Sequence, residues 1–409
     1  MAALSQSAGQ LAPPLSSPLP TVARPRLDSI DVLRGLIMVL MALDHTRDFF
    51  TNVKFDPLNL ERTNVALFLT RWFTHYCAPN FIFLAGVGAF LATTRGKTKA
   101  ELSWFLFSRG LWLALLEVTW VRCLGWAFNF DFHNIGVGVL WAIGWSMVVL
   151  AALIYLPLPE IAAFGVAMIF FHNTLDHLKP DQWGSWSWLW HVLHVPGQMH
   201  PAPGWNFAVG YVLVPWMGVM AAGYGFAAIF LWDSERRRKW LLRLGIWLTL
   251  LFVLVRWANT YGNPRQWEHQ ANWLFTIFSF IDCHKYPPSL DYILMTIGPA
   301  LIVLAWLERG TPAWLKPFLV FGRVPLFYYL LHLPLIHGMA VAVAWLRHGR
   351  AGWLFNSPFS AEGAPPADAG FGLVGVYVAW ICAVLILYPI CCWFADFKRR
   401  RKDAWLSYL

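Results

Sequence analysis

Two ionisable side chains, Arg34 and His45, lie inside the apolar stretch Ile30 to Phe50, where a charge is costly enough to imply a role. Eleven residues at about 100° each come to three turns plus about 20°, so both side chains leave one helix face, about 16 Å apart along the axis. Asp31 precedes Arg34 by three residues and Asp48 follows His45 by three, a spacing at which helical side chains meet. An imidazole whose tautomer is held by a carboxylate is the base of a nucleophile–base–orienter set. Asp44 points about 100° away from His45 and suits a neighbouring helix better. The plainer alternative is that Asp44, His45, Arg47 and Asp48 form a polar outer cap to the helix.

Three further stretches carry similar groups. Arg71 and His75, four apart on one helix face, reach the same outer depth as His45 if the chain crosses twice. In the third stretch Arg109 lies towards the opposite end, while Glu117 and Arg122 continue outward, where they can neutralise a buried charge or clamp to one another. His332 and His337 flank Pro334. Five residues on a regular helix separate them by about 140°, so one of them, with His332 favoured, is expected to face a shared cavity.

Composition defines the elements that must hold these groups. The chain has 409 residues, of which 58% are hydrophobic and 13% charged, with 26 Trp and 31 Phe; this is an integral membrane protein. A hydropathy reading gives an all-α bundle of about ten spans, near 29–50, 64–93, 101–122, 136–156, 159–176, 205–232, 240–258, 290–308, 324–346 and 371–395. Only Leu156-Pro157-Leu158-Pro159 separates the fourth from the fifth, so nine remains an alternative, and Pro79 is expected to kink the second. Residues 1–26, rich in Pro, Ser and Ala without an apolar h-region, read as a disordered tail and not a signal peptide. Residues 27–398 form one membrane domain and 399–409 a basic tail.

Charge orients the bundle. Arg24, Arg26, Arg95, Lys97, Lys99, the run Arg236 to Lys239, Arg243, Arg309, Lys316, Arg323 and the run Lys398 to Lys402 all fall on one side, the cytoplasm by the positive-inside rule. Both termini are therefore expected there. The net charge of +9 is a topology signal, and no nucleic-acid partner is expected. Long outer loops near 177–204, 257–289 and 347–370 hold His191, His194, His200, His269 and His284, with Trp183, Trp186, Trp188 and Trp190 suited to the headgroup layer. His191-x-x-His194 has no further ligand pair beside it, so no metal site is expected. The six cysteines form no CxxC pair and read as small core hydrophobes.

The segment Asp31-Val32-Leu33-Arg34-Gly35 through His45, an R-x10-H spacing, resembles the hallmark of membrane acyltransferases that modify extracytoplasmic sugars. The chain is more closely similar to the bacterial relatives of heparan-alpha-glucosaminide N-acetyltransferase. That likeness runs through Ala42 to Phe50, Cys77-Ala78-Pro79, Phe83 to Gly86, Trp141 to Ser146, Pro215 to Met220, Lys285 to Ser289 and Phe327 to His332. It implies transfer of an acyl group, most simply acetyl, from cytoplasmic acetyl-CoA to an amino sugar or glycan hydroxyl on the outer side of a bacterial inner membrane. The lysosomal enzyme that names the family departs at His45, whereas the sugar O-acyltransferases share it, so N- and O-acylation both stay open. In this frame His45 is the general base, held by Asp48 or Asp44, and His75 and Arg71 stabilise the oxyanion. Arg34, Arg109 and Arg323, all towards the basic side, suit the CoA phosphates. His284, Lys285, Tyr286, His332 and Trp145 are candidates for the acceptor side. An acyl-histidine intermediate and a homodimer remain open. Two other classes use such residues: a proton-coupled transporter, disfavoured by the lack of an internal repeat, and a b-type haem protein with His45, His75, His332 or His337 as axial ligands.

Overall fold

Long apolar runs bounded by capping residues and prolines fold as helices, and their backbone groups must be satisfied within each helix if they cross lipid. The computed structural model describes residues 27–94, 96–356, 365–401 and 403–409; the expected tail 1–26 lies outside the described residues. The helices are α1 (Asp28–Phe50), α2 (Val65–Phe73), α3 (Cys77–Thr93), α4 (Lys99–Leu116), α5 (Val139–Leu153), α6 (Leu158–Phe171), α7 (Ser187–Leu193), α8 (Val214–Phe226), α9 (Ser234–Ala258), α10 (Trp273–Ile281), α11 (Leu290–Leu307), α12 (Lys316–Arg323), α13 (Pro325–His348) and α14 (Leu373–Arg400). Eight helical stretches among the described residues are long and apolar enough to cross a membrane. With α1, too rich in charge for that criterion, and α5, only 15 residues long, each of the ten expected spans coincides with a helical stretch. The turn between Leu153 and Leu158 keeps the fourth and fifth apart.

Charge is tolerated in α1 because the helix is central. It packs against α3, α11, α12, α13 and α14, and residues from Ser29 to Phe50 are buried around most of its circumference. Asp28 and Asp31 sit in its first turn and Arg47 in its last, the signs that the helix dipole favours. The α12 contact is backbone to backbone. A Cβ added at Gly322 would lie 1.7 Å from the Asp31 carbonyl oxygen, and one at Gly35 would lie 1.9 Å from that of Phe318. Gly322→Ala must push α12 off α1, and since only main chain can yield, it is expected to cost about 3 kcal/mol or more. Thermal unfolding in detergent reads this; a melting temperature equal to the parent's would refute it.

Proline breaks are filled by side chains from elsewhere. Pro79 cannot donate to the carbonyl of residue 75, and the second stretch breaks there into a short 3₁₀ turn, Thr74–Tyr76. The Tyr292 hydroxyl donates to the released His75 carbonyl at 2.8 Å. Pro334 likewise releases the carbonyl of Leu330, which accepts from Trp120 Nε1 at 2.8 Å. Ser289, Asn64, Asp233 and Asn272 cap α11, α2, α9 and α10 through their side chains.

The connections opposite the basic loops carry, among the described residues, a small sheet that hydropathy does not reveal. Strands β1 (Asn134–Val137), β2 (Gly197–Met199) and β3 (Asn206–Val209) pair in the order β1-β3-β2, with β1 parallel and β2 antiparallel to β3. His172 joins α6 to the loop before α11, with Nδ1 at 2.9 Å from the Ile169 carbonyl and Nε2 at 2.8 Å from that of Pro288. His194 pairs with Asp176 at 3.0 Å. Trp190 is buried and stacks on Trp183, while Trp183, Trp186 and Trp188 remain exposed.

One sequence expectation changes. Glu117 and Arg122 form no clamp: the Glu117 carboxylate accepts from the N–H groups of Gly138 and Leu140 at 3.0 and 2.9 Å, capping α5. Arg122 donates instead to carbonyls of Asn129, Asp131 and Asn134. The reason is local: Glu117 reaches the free N–H groups at the start of α5, and Arg122, in the π-helical continuation Glu117–Trp126 of α4, reaches the carbonyls of the segment that follows it. Helix α14 runs to Arg400, and a 3₁₀ turn at Ala404–Tyr408 folds back on α4, with Tyr408 Oη 2.7 Å from Ser108 Oγ.

Candidate functional site

The outer third of α1 projects Asp44, His45 and Asp48 towards α2 and α13. Asp44 is taken by Arg71 across the helix gap, with Nη1 2.8 Å from each carboxylate oxygen. Arg47 donates to Asp48 at 2.7 Å and to Asp44 at 3.2 Å, which ties the two acids together. Asp48 is the carboxylate facing His45, its Oδ2 3.7 Å from Nδ1. The His45 ring meets Trp126 edge-on at 5.0 Å and lies 5.2 Å from the ring of His332.

His332 is fully buried. Its Nδ1 lies 2.6 Å from the Tyr329 carbonyl, which can only accept, so Nδ1 carries the proton and Nε2 keeps a lone pair. That Nε2 has no hydrogen-bond partner among the described residues, and neither do Tyr328 Oη, His45 Nδ1 or either nitrogen of His75. Tyr328 stacks on His332 at 5.6 Å, and Tyr292 meets His75 edge-on at 5.3 Å. Lys285 adds its positive charge near Asp44 and His75. Beside it Tyr286, 39% exposed, meets Tyr211 edge-on, and Tyr211 stacks on the buried Trp216. His284 stands nearer the surface with Nδ1 3.2 Å from the Pro287 carbonyl, and burial pushes its imidazole below the ordinary range. Trp145 lies apart in α5, edge-on to Trp141.

A cavity of about 260 Å³ opens at the outer end of α1, walled by Asp48, Lys54, Arg347, His348, Trp353 and Asn356 among others. It adjoins the carboxylate that faces His45. Towards the other end of the bundle Arg34 donates to the Leu84 carbonyl at 2.9 Å, with Asp31 3.7 Å away. Arg109 is close enough to Arg34 for the two charges to oppose each other. Its Nη1 donates to the Ser407 carbonyl and its Nε is buried without a partner. Arg323 is 44% exposed and pairs with Asp28 at 3.3 Å. The sequence thus points to most of these groups, but not to Trp126, Tyr292, Tyr211 or Trp216; each is one aromatic among many, and only the carbonyl freed by Pro79 signals that some donor such as Tyr292 is needed.

An integral membrane bundle with a polar cluster buried around one histidine is the class that fold and site define. The family model described as heparan-alpha-glucosaminide N-acetyltransferase, catalytic, matches residues 26–261, more than half of the chain, and the chain belongs to that family. It is accordingly a membrane acetyltransferase. The match spans α1 to α9 and so includes Arg34, His45, Arg71, His75 and Arg109; His332 lies beyond it. No curated protein matches the chain.

Proposed function

We propose that the protein moves an acetyl group from cytoplasmic acetyl-CoA to an amino sugar or glycan hydroxyl on the outer side of a bacterial inner membrane, with residues 27–398 as one catalytic domain. The observation that supports this reading is the ring cluster His45, His332 and Tyr328, in which His45 Nδ1, His332 Nε2 and Tyr328 Oη are buried with no hydrogen-bond partner among the described residues. Each unmade bond costs about 1–3 kcal/mol, which a site that bonds to substrates can recover. An even number of crossings and the lysines and arginines of the loops support a cytoplasmic location for both termini.

The residues then divide the work. Arg34 and Arg109 receive the phosphates, with Arg323 at the rim, and the pantetheine arm runs along α1 for the about 16 Å to His45. The acceptor comes through the cavity beside Asp48, with Lys285, Tyr286 and His284 as further candidates for holding it. The Asp48 carboxylate, 3.7 Å from Nδ1, favours the proton on that nitrogen through its charge, leaving Nε2 of His45 as the base. That nitrogen takes the acceptor's proton as its oxygen or nitrogen attacks the thioester carbon. His75, with Arg71 behind it, stabilises the oxyanion. When the carbon–sulfur bond breaks, the CoA thiolate recovers the proton from the His45 imidazolium. Asp44 fixes Arg71 and thereby His75.

The test uses the purified protein in proteoliposomes with acetyl-labelled CoA on one side and amino sugars or glycans on the other. Label is expected on the acceptor only when the donor faces the basic loops. Donor binding without transfer to any amino or hydroxyl group of a sugar would remove the reading.

A further inference from the structure

Helices α1 and α13 run side by side in the same direction. His332 lies against His45 with ring centroids 5.2 Å apart, and further along both helices His337 stacks on Phe49 at 4.5 Å. Tyr328 stands one turn before His332, its ring within 11° of parallel to the imidazole at 5.6 Å. A turn rises about 5.4 Å, so the side chains met on going from the level of Arg34 towards the outer site are Tyr328, then His332 and His45. Tyr328 and His332 are both fully buried. Nδ1 of His332 faces two carbonyls, of Tyr329 at 2.6 Å and of Tyr328 at 3.3 Å. In the neutral ring the single proton is therefore on Nδ1, and Nε2 can only accept. The Tyr328 hydroxyl can donate, yet neither it nor that Nε2 has a hydrogen-bond partner among the described residues. Its neighbours do not serve: Phe321 meets the phenol edge-on at 5.0 Å, and the nearby Cys77 thiol donates to the Ile37 carbonyl at 3.6 Å.

A buried donor and a buried acceptor one turn apart are the complement of a secondary amide, which offers one carbonyl oxygen and one N–H. The pantetheine arm of CoA carries such an amide three bonds from its sulfur, with the N–H on the sulfur side and the carbonyl beyond it. Three single bonds span about 4 Å. A thioester beside His45 thus brings the N–H to His332, whose ring is 5.2 Å from that of His45, and the carbonyl one step further towards Arg34, on the side of Tyr328. The order of the two groups along the arm matches the order of the two side chains along the bundle. We propose that Tyr328 and His332 bind this amide, His332 Nε2 accepting from its N–H and Tyr328 Oη donating to its carbonyl, and thereby fix the depth at which the thioester stops beside His45. The proposal rests on the reading of α1 as the path of the donor. It moves His332, a candidate for the acceptor side on sequence alone, to the donor side, and it gives Tyr328 a role that the sequence does not signal.

The test is calorimetric titration of the full chain in nanodiscs with CoA and with a CoA analogue in which the nitrogen of that amide is replaced by a methylene group, which keeps the carbonyl and removes the N–H. The parent is expected to bind the analogue about tenfold more weakly than CoA, the worth of about one hydrogen bond. His332→Phe, which keeps a ring but has no acceptor, is expected to bind the two ligands alike. Tyr328→Phe is expected to lose about tenfold for both ligands while keeping the difference between them. It should also melt no lower than the parent, because the hydroxyl it removes bonds to nothing in the bundle among the described residues. A parent that binds CoA and the analogue equally would overturn the proposal, and this comparison decides even if His332→Phe does not fold. A folded His332→Phe protein that still separates the ligands would overturn it too, as would a Tyr328→Phe protein with lowered melting temperature and unchanged affinity for CoA. The outcomes also separate this proposal from the reaction it rests on. Discrimination between the ligands without acetyl transfer to any sugar falls on the proposed function and leaves the amide site standing; equal binding with transfer intact does the reverse, and no binding of CoA at all would sink both.

Discussion

Replacing His45 with alanine is expected to lower acetyl transfer by about two to four orders of magnitude, the range that a positioned general base supplies, with binding of CoA nearly unchanged. The separation follows from geometry. His45 makes no hydrogen bond that holds the bundle, since its Nδ1 is 3.7 Å from Asp48 and otherwise unpartnered, so its loss leaves the Asp44–Arg71 pair and the Arg47 bridge intact. The proposed phosphate contacts are about 16 Å away along α1. His332 sharpens the test. Its Nε2 is unpartnered and its ring is 5.2 Å from that of His45, so it is the neighbour able to substitute as a weaker base. Initial rates with labelled acetyl-CoA measure the effect for His45→Ala, His332→Ala and the pair. A His45→Ala protein that transfers acetyl at close to the parent rate would sink the proposed role.

What the sequence makes legible is what depends on local chemistry. Ten helices follow from apolar runs, and α1 is readable as a span in spite of its charges because Arg34 and His45 recur on one face. The break in the second stretch is only half readable. Pro79 announces a defect, but the lost bond belongs to the carbonyl of His75, four residues earlier, and its replacement comes from Tyr292, 217 residues away. Short strands such as Gln198 and its two neighbours carry too few residues to show alternation. Arg122 illustrates a different limit. The sequence offers Glu117 as one possible partner, but the segment after the π-helix supplies backbone carbonyls instead and leaves the glutamate to cap α5. His332 and His337 show that angle alone does not assign a residue: one ring lies against His45 and the other between Phe49 and Phe128, at different heights along the same α1.

The second large effect is expected at the basic end of the bundle. Arg109→Ala should weaken CoA binding by about ten- to hundredfold, the equivalent of one hydrogen bond between charged groups, about 1.5–3 kcal/mol. Arg109 makes no ion pair with a carboxylate among the described residues, its Nε is buried without a partner, and Arg34 opposes its charge. Two guanidiniums held together in this way favour a polyanion, and a phosphate also supplies the missing acceptor for Nε. The Ser407 carbonyl, which now accepts from Arg109 Nη1, must share or yield that donor when phosphate arrives. Arg323→Ala should cost far less, because Arg323 is 44% exposed and already paired with Asp28, and exposed pairs contribute about 0–1 kcal/mol. Calorimetric titration of CoA and dephospho-CoA into the protein in nanodiscs distinguishes these cases, and raising the salt concentration should erode the Arg323 contribution first. An Arg109→Ala protein that binds CoA as the parent does, together with an equally unaffected Arg34→Ala protein, would show that the phosphates bind elsewhere and that the about 16 Å run along α1 is not the path of the pantetheine arm.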